Sequence, residues 1–163
     1  MPKTPNPKIT LLLDMLGEAY VNKAWHGTNL RGSLRGMKAK QAAWRPDPAR
    51  HNVWEIVVHC AYWKYVIHRR ITGAKRGSFP LKGSNWFTRP VGPIAEDDWR
   101  QDVELLDTMH ELLHEAVAGL KPVRLTSLSP KKQFTLIREI YGMAMHDVYH
   151  TGQIQLLKRL MKK

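Results

Sequence analysis

Helical periodicity in four long segments is the feature that most limits what this chain can fold into. Apolar residues recur at spacings of three and four, which is the pattern of a helix with one buried face. The first segment carries Ile9, Leu12, Leu13, Leu16, Ala19 and Tyr20, and the last carries Leu136, Ile140, Met143, His150, Ile154, Leu157 and Met161. No segment alternates as a strand would. The sequence therefore predicts an all-α four-helix bundle.

Capping residues, acidic first turns and glycines mark where the helices begin and end. Asn52 and Glu55 have the form of a capping box, in which each side chain bonds the backbone of the other, and we assign Glu55 this role. Gly73 ends the helix that Asn52 begins. Asn6-Pro7 and Ser129-Pro130 each resemble an N-cap followed by proline at the first helical position, and so mark the starts of the first and last helices. The apolar periodicity of the first helix runs over residues 9–25, and the other predicted helices span residues 52–72, 95–119 and 129 to the C terminus, with a short helical turn within 30–37.

A long connection separates the second predicted helix from the third. Residues 73–93 are rich in glycine, proline, serine and basic residues, with Trp86 near the middle. Connections of this length are more often lids or crossovers than simple turns. We therefore expect the two helices not to be hairpin neighbours, and Trp86 is the candidate for a lid. Residues 1–163 are predicted to form a single domain.

Composition places the chain among cytoplasmic proteins. Its single cysteine, Cys60, excludes an intrachain disulfide framework and fits a reducing compartment. The N-terminal residues lack the apolar core of a signal peptide, and no apolar run approaches the roughly 20 residues that span a bilayer. The expectation is a soluble cytoplasmic protein without a membrane partner, with Cys60 as a packing residue.

The formal net charge of +12 raises the question of a nucleic-acid partner. The basic residues, however, are spread along the helices, the long connection and the C terminus, and no nucleic-acid motif is recognisable. A solvated basic surface is the favoured interpretation, and direct nucleic-acid binding is the less favoured alternative.

Three histidines suggest a metal site. His146 and His150 are four residues apart, so they project from the same side of the last helix and can bind one cation together. The alternative is a hydrogen-bonded pair on an amphipathic helix. His59 lies at the inward edge of the apolar arc of the second helix and is the natural third ligand. Three neutral imidazoles with one open position are typical of catalytic zinc.

A second histidine pattern competes with the first. His110-Glu111-Leu-Leu-His114 matches the HExxH pattern of zinc proteases. On a helical wheel His110 lies at the margin of the apolar arc, while His114 and Glu111 lie on the polar side. We therefore predict an ordinary polar helix margin rather than a protease site.

Three blocks of the sequence resemble a known family. They are Trp25-His26-Gly27 with Leu30, His51-Asn-Val-Trp54-Glu55-Ile-Val-Val-His59, and His146-Asp147-Val-Tyr149-His150-Thr-Gly152-Gln153-Ile154. Their order and spacing are similar to those of the DinB-like (YfiT-like) metal-binding superfamily, over essentially the whole chain. The resemblance implies up-down-down-up topology, with the long crossover between helices two and three. It also implies a homodimer and a divalent metal held by His59, His146 and His150.

Known activities in this family include bacillithiol-dependent S-transferases and mycothiol-dependent isomerases. The resemblance thus implies a metal-dependent transferase or hydrolase that acts on a small molecule, with a low-molecular-weight thiol as a candidate partner. Zinc or nickel is expected, and iron or manganese remains open because imidazole ligands accept each of these metals. The alternatives are a non-catalytic metal-binding or ligand-binding stress protein and, less favoured, a nucleic-acid-associated one.

Two polar residues beside the histidines are further candidates. Gln153 lies one turn beyond His150 and would either orient a ligand or make a hydrogen bond in helix packing. Asp147 is a candidate for orienting a metal-bound imidazole. Because Asp147 directly follows His146, its side chain projects from a different side of the helix. Its partner is therefore expected on another helix.

Overall fold

The fold is known from a computed structural model, which describes residues 6–129 and 133–162. These residues form helices α1 (Pro7–Tyr20), α2 (Leu30–Ser33), α3 (Ala39–Ala42), α4 (Val53–Thr72), α5 (Glu96–Ala118) and α6 (Leu136–Leu160), with a 3-10 helix at Pro122–Thr126. The described residues contain no β-strand, and the predicted all-α class is confirmed.

Helix α1 begins where the sequence predicts and ends earlier. The Asn6 side chain accepts hydrogen bonds from the backbone N–H groups of Lys8 and Ile9, which caps the helix. The predicted extension to Trp25 is wrong, since the helix ends at Tyr20. Trp25 is 98% exposed, so no buried contact supports a further helical turn there.

Helix α4 has the predicted limits. The Asn52 side chain accepts a hydrogen bond of 2.8 Å from the backbone N–H of Glu55. Gly73 closes the helix with φ of 78°, a left-handed conformation that glycine adopts at little cost. Helix α5 also agrees with its prediction to within one residue at each end, and three acidic residues occupy its first turn.

Helix α6 begins seven residues later than predicted, at Leu136 rather than Ser129. The backbone N–H of Ser129 donates to the carbonyl of Phe134, and the N–H of Leu136 donates to the carbonyl of Ser127. These bonds pair Ser127 and Ser129 with residues 134–136, so these described residues do not form the first turns of the predicted helix. Pro130, which we expected at the helix start, lies outside the described residues.

The long helices form a bundle in which α4 packs against both α5 and α6, and α1 packs against the same two helices. One apolar cluster lies around Trp54, Val57 and Leu106, and a second around Leu16 and Ile140. Among the described residues, no helix combines the length and apolarity needed to cross a membrane. The up-down-down-up order of the helices stays a prediction.

The connection between α4 and α5 is fixed to the bundle by aromatic side chains. Phe79 and Phe87 are buried and pack on each other and on Tyr62 of α4. This packing holds the residues between the two phenylalanines beside α4, one turn after His59.

Candidate metal centre

His59 from α4 and His146 and His150 from α6 converge on one point. The Nε2 atom of His146 lies 3.1 Å from Nε2 of His59 and 3.1 Å from Nε2 of His150. His59 and His150 are buried, and His146 is half-buried. The structure thus brings together the three histidines that the sequence identifies as metal ligands.

Hydrogen bonds on the far side of two rings determine which nitrogen is free. The Nδ1 atom of His59 lies 2.8 Å from the carbonyl oxygen of Asn85, and Nδ1 of His150 lies 2.7 Å from Oε1 of Gln153. Because these oxygens accept hydrogen bonds, each Nδ1 carries the proton. The Nε2 lone pairs of both rings therefore point towards His146.

Burial keeps the three rings neutral. Removal from water lowers the pKa of His59 to about 4 and the pKa of His146 to about 3, and it also lowers the pKa of His150. A neutral His146 that carries its proton on Nε2 can donate it to only one of the two neighbouring Nε2 atoms at a time. A cation would instead accept the lone pairs of all three Nε2 atoms.

The spacing of the nitrogens fits that interpretation. Two ligands each about 2.05 Å from a tetrahedral zinc ion are separated by roughly 3.3 Å. The observed separations of 3.1 Å are close to this value. The three residues therefore fit a divalent metal, both in donor chemistry and in geometry.

Trp86 lies directly on the candidate site. Its ring stacks between His51 and His59, with centroid distances of 3.7 and 3.9 Å and interplanar angles of 4° and 11°. Its centroid is 6.1 Å from that of His150. Trp86 thus covers one face of the His59 ring, and opening of this cover as a lid stays a prediction.

Asn85, the residue before Trp86, was missed by the sequence reasoning. Its φ is 65°, a left-handed conformation that is uncommon outside glycine. In this conformation its backbone carbonyl meets His59, and its side-chain oxygen accepts a hydrogen bond of 2.9 Å from Nε1 of Trp63. Every residue type has a backbone carbonyl, so the sequence gives no indication of this contact with His59. The one available indication is that asparagine tolerates a left-handed conformation better than most residues.

Asp147 contacts a lysine rather than a histidine ring. Its carboxylate forms an ion pair with Lys64 of α4, and both side chains are completely buried. The partner is on another helix, as expected, but it is not a metal ligand. Cys60 and Asp147 nevertheless lie close to His146, with potential ligand atoms of all three within 4.8 Å of one another.

Glu55 has a different role from the capping one predicted. Its carboxylate forms two hydrogen bonds with Arg45, of 2.9 and 2.6 Å, and lies 2.9 Å from Nδ1 of His51. It also accepts from the backbone N–H of Arg89. Only the Asn52 half of the capping box is formed, and Glu55 instead holds His51 beneath Trp86.

The competing histidine pattern on α5 is not assembled as a metal site. His110 is buried and stacks on Tyr20 with a centroid distance of 3.8 Å, whereas Glu111 is exposed and His114 is half-buried. Within the described part of the chain, neither histidine belongs to a group of three potential metal ligands. The absence of a protease site stays a prediction.

Comparison with models of known protein families shows which family the chain belongs to. The family model of the DinB superfamily matches residues 24–154. The chain belongs to the DinB superfamily. Comparison with curated proteins and with solved structures gave no significant match. The DinB-superfamily match contains α4 and most of α6, so that all three converging histidines lie within it.

Proposed function

We propose that this DinB-superfamily protein binds a divalent metal through Nε2 of His59, His146 and His150 and uses it in a transfer or hydrolysis reaction on a small molecule. The observation that carries the proposal is the convergence of three imidazoles, in which Nε2 of His146 lies 3.1 Å from Nε2 of His59 and 3.1 Å from Nε2 of His150. A low-molecular-weight thiol is the proposed nucleophile, as the superfamily resemblance implies.

The bound metal would supply Lewis acidity, which lowers the pKa of a coordinated water or thiol. The protein's own residues prepare the site for this role. Asn85 and Gln153 fix the proton on Nδ1 of His59 and His150, so that both rings keep a fixed orientation. Trp86 excludes water from one face of His59. Zinc and nickel are the proposed metals, because neutral imidazole suits both.

A metal analysis of protein purified without an affinity tag tests the proposal. We expect roughly one metal ion per chain, and in His59→Ala we expect metal below about a tenth of that amount, because two adjacent imidazoles alone bind weakly. His114→Ala is the matched control and should keep its metal, since His114 lies on α5 outside the cluster. Undiminished metal content in His59→Ala would contradict the proposal.

Replacement of Gln153 gives a second test, in which the metal affinity should be weakened rather than abolished. Gln153→Ala removes the acceptor on Nδ1 of His150, and partners of this kind are worth about 10- to 100-fold in metal affinity. The affinity would be measured by competition with a chromophoric chelator. Gln155→Ala, two residues along the same helix, should bind metal like the unchanged protein. Equal affinities in all three proteins would show that Gln153 serves only in helix packing.

A non-catalytic metal-binding protein is the second candidate function. The observation that favours it is the small size of the cavity at His146, which is about 100 Å³ and is lined partly by Trp63 and Met143. Thiol-transfer assays with the metal-loaded protein and a panel of cellular thiols separate the two candidates. Activity that disappears in His59→Ala supports catalysis, and inactivity with every thiol favours the binding protein. Homodimer formation and a cytoplasmic location stay predictions.

A further inference from the structure

A second and larger cavity lies between α4 and the connection that follows it, next to the metal centre. Its volume is about 770 Å³. Four cationic side chains line it, namely Arg69, Arg70, Arg76 and Lys82, and none of its lining residues in the described part of the chain is acidic. This one-sided charge raises the local concentration of anions.

Most of these cations have no carboxylate partner among the described residues. Arg70 donates from Nη1 to Glu139 at 2.6 Å. For Arg69, Arg76 and Lys82, the described residues supply no carboxylate within ion-pair distance. The Nε atom of Arg69 is moreover buried without a hydrogen-bond partner in that part of the chain. A buried donor left unpaired is costly, and an anionic ligand would satisfy it.

Aromatic side chains form another part of the wall. Tyr62, Tyr65 and Phe79 meet one another with ring centroids 5.3 to 6.2 Å apart. Their faces and the ring of Trp63 offer a surface for a flat or apolar group. A cavity that combines such a surface with a few charged groups is typical of a small-molecule site rather than of a nucleic-acid surface.

Trp63 connects this cavity to the metal centre. It lines the cavity, its ring centroid is 6.5 Å from those of His59 and His146, and it donates a hydrogen bond to Asn85. Arg69 follows Trp63 by six residues on α4, which corresponds to roughly 9 Å along the helix. A molecule anchored at Arg69 can therefore extend to Trp63, beside the three histidines.

We infer that this cavity binds the substrate of the metal centre and that the substrate is a small molecule in which a phosphate or carboxylate group is joined to an aromatic or apolar body. The inference rests on the proposed function for the reaction itself. Arg69, Arg76 and Lys82 hold the anionic group, and the aromatic wall with Trp63 holds the body.

Calorimetric titration of the metal-free protein with 1-naphthyl phosphate tests the binding step. We expect Arg69→Gln/Arg76→Gln to bind the probe at least about tenfold more weakly, because two charge-assisted contacts are lost. Arg35→Gln/Lys40→Gln removes the same charge from a different groove, beside the C-terminal end of α6, and should stay within about twofold of the unchanged protein. Neutral 1-naphthol should bind at least about tenfold more weakly than the phosphate.

Two results would overturn the inference. Equal weakening in both double variants would show general attraction to a basic surface, as for a nucleic acid, and unchanged binding in Arg69→Gln/Arg76→Gln would show that the cavity is not the site. Thermal unfolding monitored by circular dichroism checks that both double variants are folded. Both sets of side chains reach the surface, so folding should be preserved.

A separate experiment tests whether the probe in the cavity lies close to the metal centre. With cobalt(II) bound in place of zinc, the ring protons of the probe should broaden in nuclear magnetic resonance spectra, and His59→Ala should abolish the broadening while the metal-free variant still binds the probe. Probe binding without metal binding would contradict the proposed function and leave the anion site standing. Metal binding without broadening would contradict the assignment of the cavity as the substrate site.

Discussion

Metal at a thousand times its dissociation constant is expected to raise the free energy of unfolding by about 4.1 kcal/mol, and His146→Ala is expected to show almost none of this gain. The reason is that only the folded chain assembles the site. His59 and His146 are 87 residues apart in sequence, and the fold brings their Nε2 atoms to 3.1 Å. The unfolded chain retains only the weak pair of His146 and His150.

His146 is the informative ligand to remove because it is central in the cluster. Its Nε2 atom lies within 3.1 Å of both other histidines, and its Nδ1 atom has no partner in the described residues. Replacement by alanine therefore removes a partner only from the two other histidines, so the metal-free variant should be nearly as stable as the unchanged protein. Removal of His59 would in contrast also release the Asn85 carbonyl.

Urea unfolding with and without metal measures the effect, at a fixed excess of zinc or nickel over protein. His114→Ala is the control, and it should gain as much stability from metal as the unchanged protein does. An equal gain in His146→Ala would place the metal elsewhere and would contradict the three-histidine site.

Sequence periodicity made the histidine cluster one of two open interpretations, because helices convert spacing into direction, and the family resemblance favoured it. His146 and His150 share a side of α6, and His59 lies at the inward edge of α4, so a bundle that buries both apolar faces brings the three together. The limits of α4 followed equally from local signals. Asn52 and Gly73 each act within one turn of the helix, through a side-chain cap and a left-handed residue.

The helix ends that were predicted wrongly depend on contacts that spacing does not show. After Tyr20 the chain turns into a loop in which Nδ2 of Asn29 donates to the carbonyl of Asn22. Near the start of α6, backbone hydrogen bonds join Phe134 to Ser129 and Leu136 to Ser127. In both arrangements a backbone group is bonded to a residue several positions away in the sequence. These contacts outweigh the local helix propensity, so the chain is not helical there.

Two features of the site could not be predicted from the sequence, for different physical reasons. Asn85 acts through a backbone carbonyl, which every residue type possesses, and only its left-handed φ directs this carbonyl to His59. Lys64 is completely buried although lysine is among the residue types least often found inside proteins. Its burial becomes understandable only when Asp147 is found opposite it.

The Lys64–Asp147 pair joins the bundle core to the candidate metal centre. Lys64 is five residues after His59 on α4, and Asp147 directly follows His146 on α6. The pair therefore connects the same two helices that supply the histidines. Because buried ions fix a specific partner and distance, we expect this contact to set how α4 and α6 lie against each other at the site.

Removal of one partner from this ion pair should strongly lower the free energy of unfolding, and this is the second of the two largest expected effects. Lys64→Met is expected to lower the free energy of unfolding by about 3–5 kcal/mol, because the Asp147 carboxylate then remains buried without a counter-ion. Lys40→Met, at an exposed position on α3, should change the same quantity by less than about 0.5 kcal/mol. Urea unfolding of the metal-free proteins measures both changes.

The double variant Lys64→Met/Asp147→Ala separates the cost of an unpaired charge from the loss of packing. Both residues are then apolar and neither is larger than the residue it replaces, so the stability lost in Lys64→Met should be mostly recovered. If the double variant is as unstable as Lys64→Met, packing around the lysine stem rather than the unpaired carboxylate is the cause. If it recovers stability but binds metal more weakly than the unchanged protein, then the ion pair positions His59 and His146 for the metal rather than stabilising the fold.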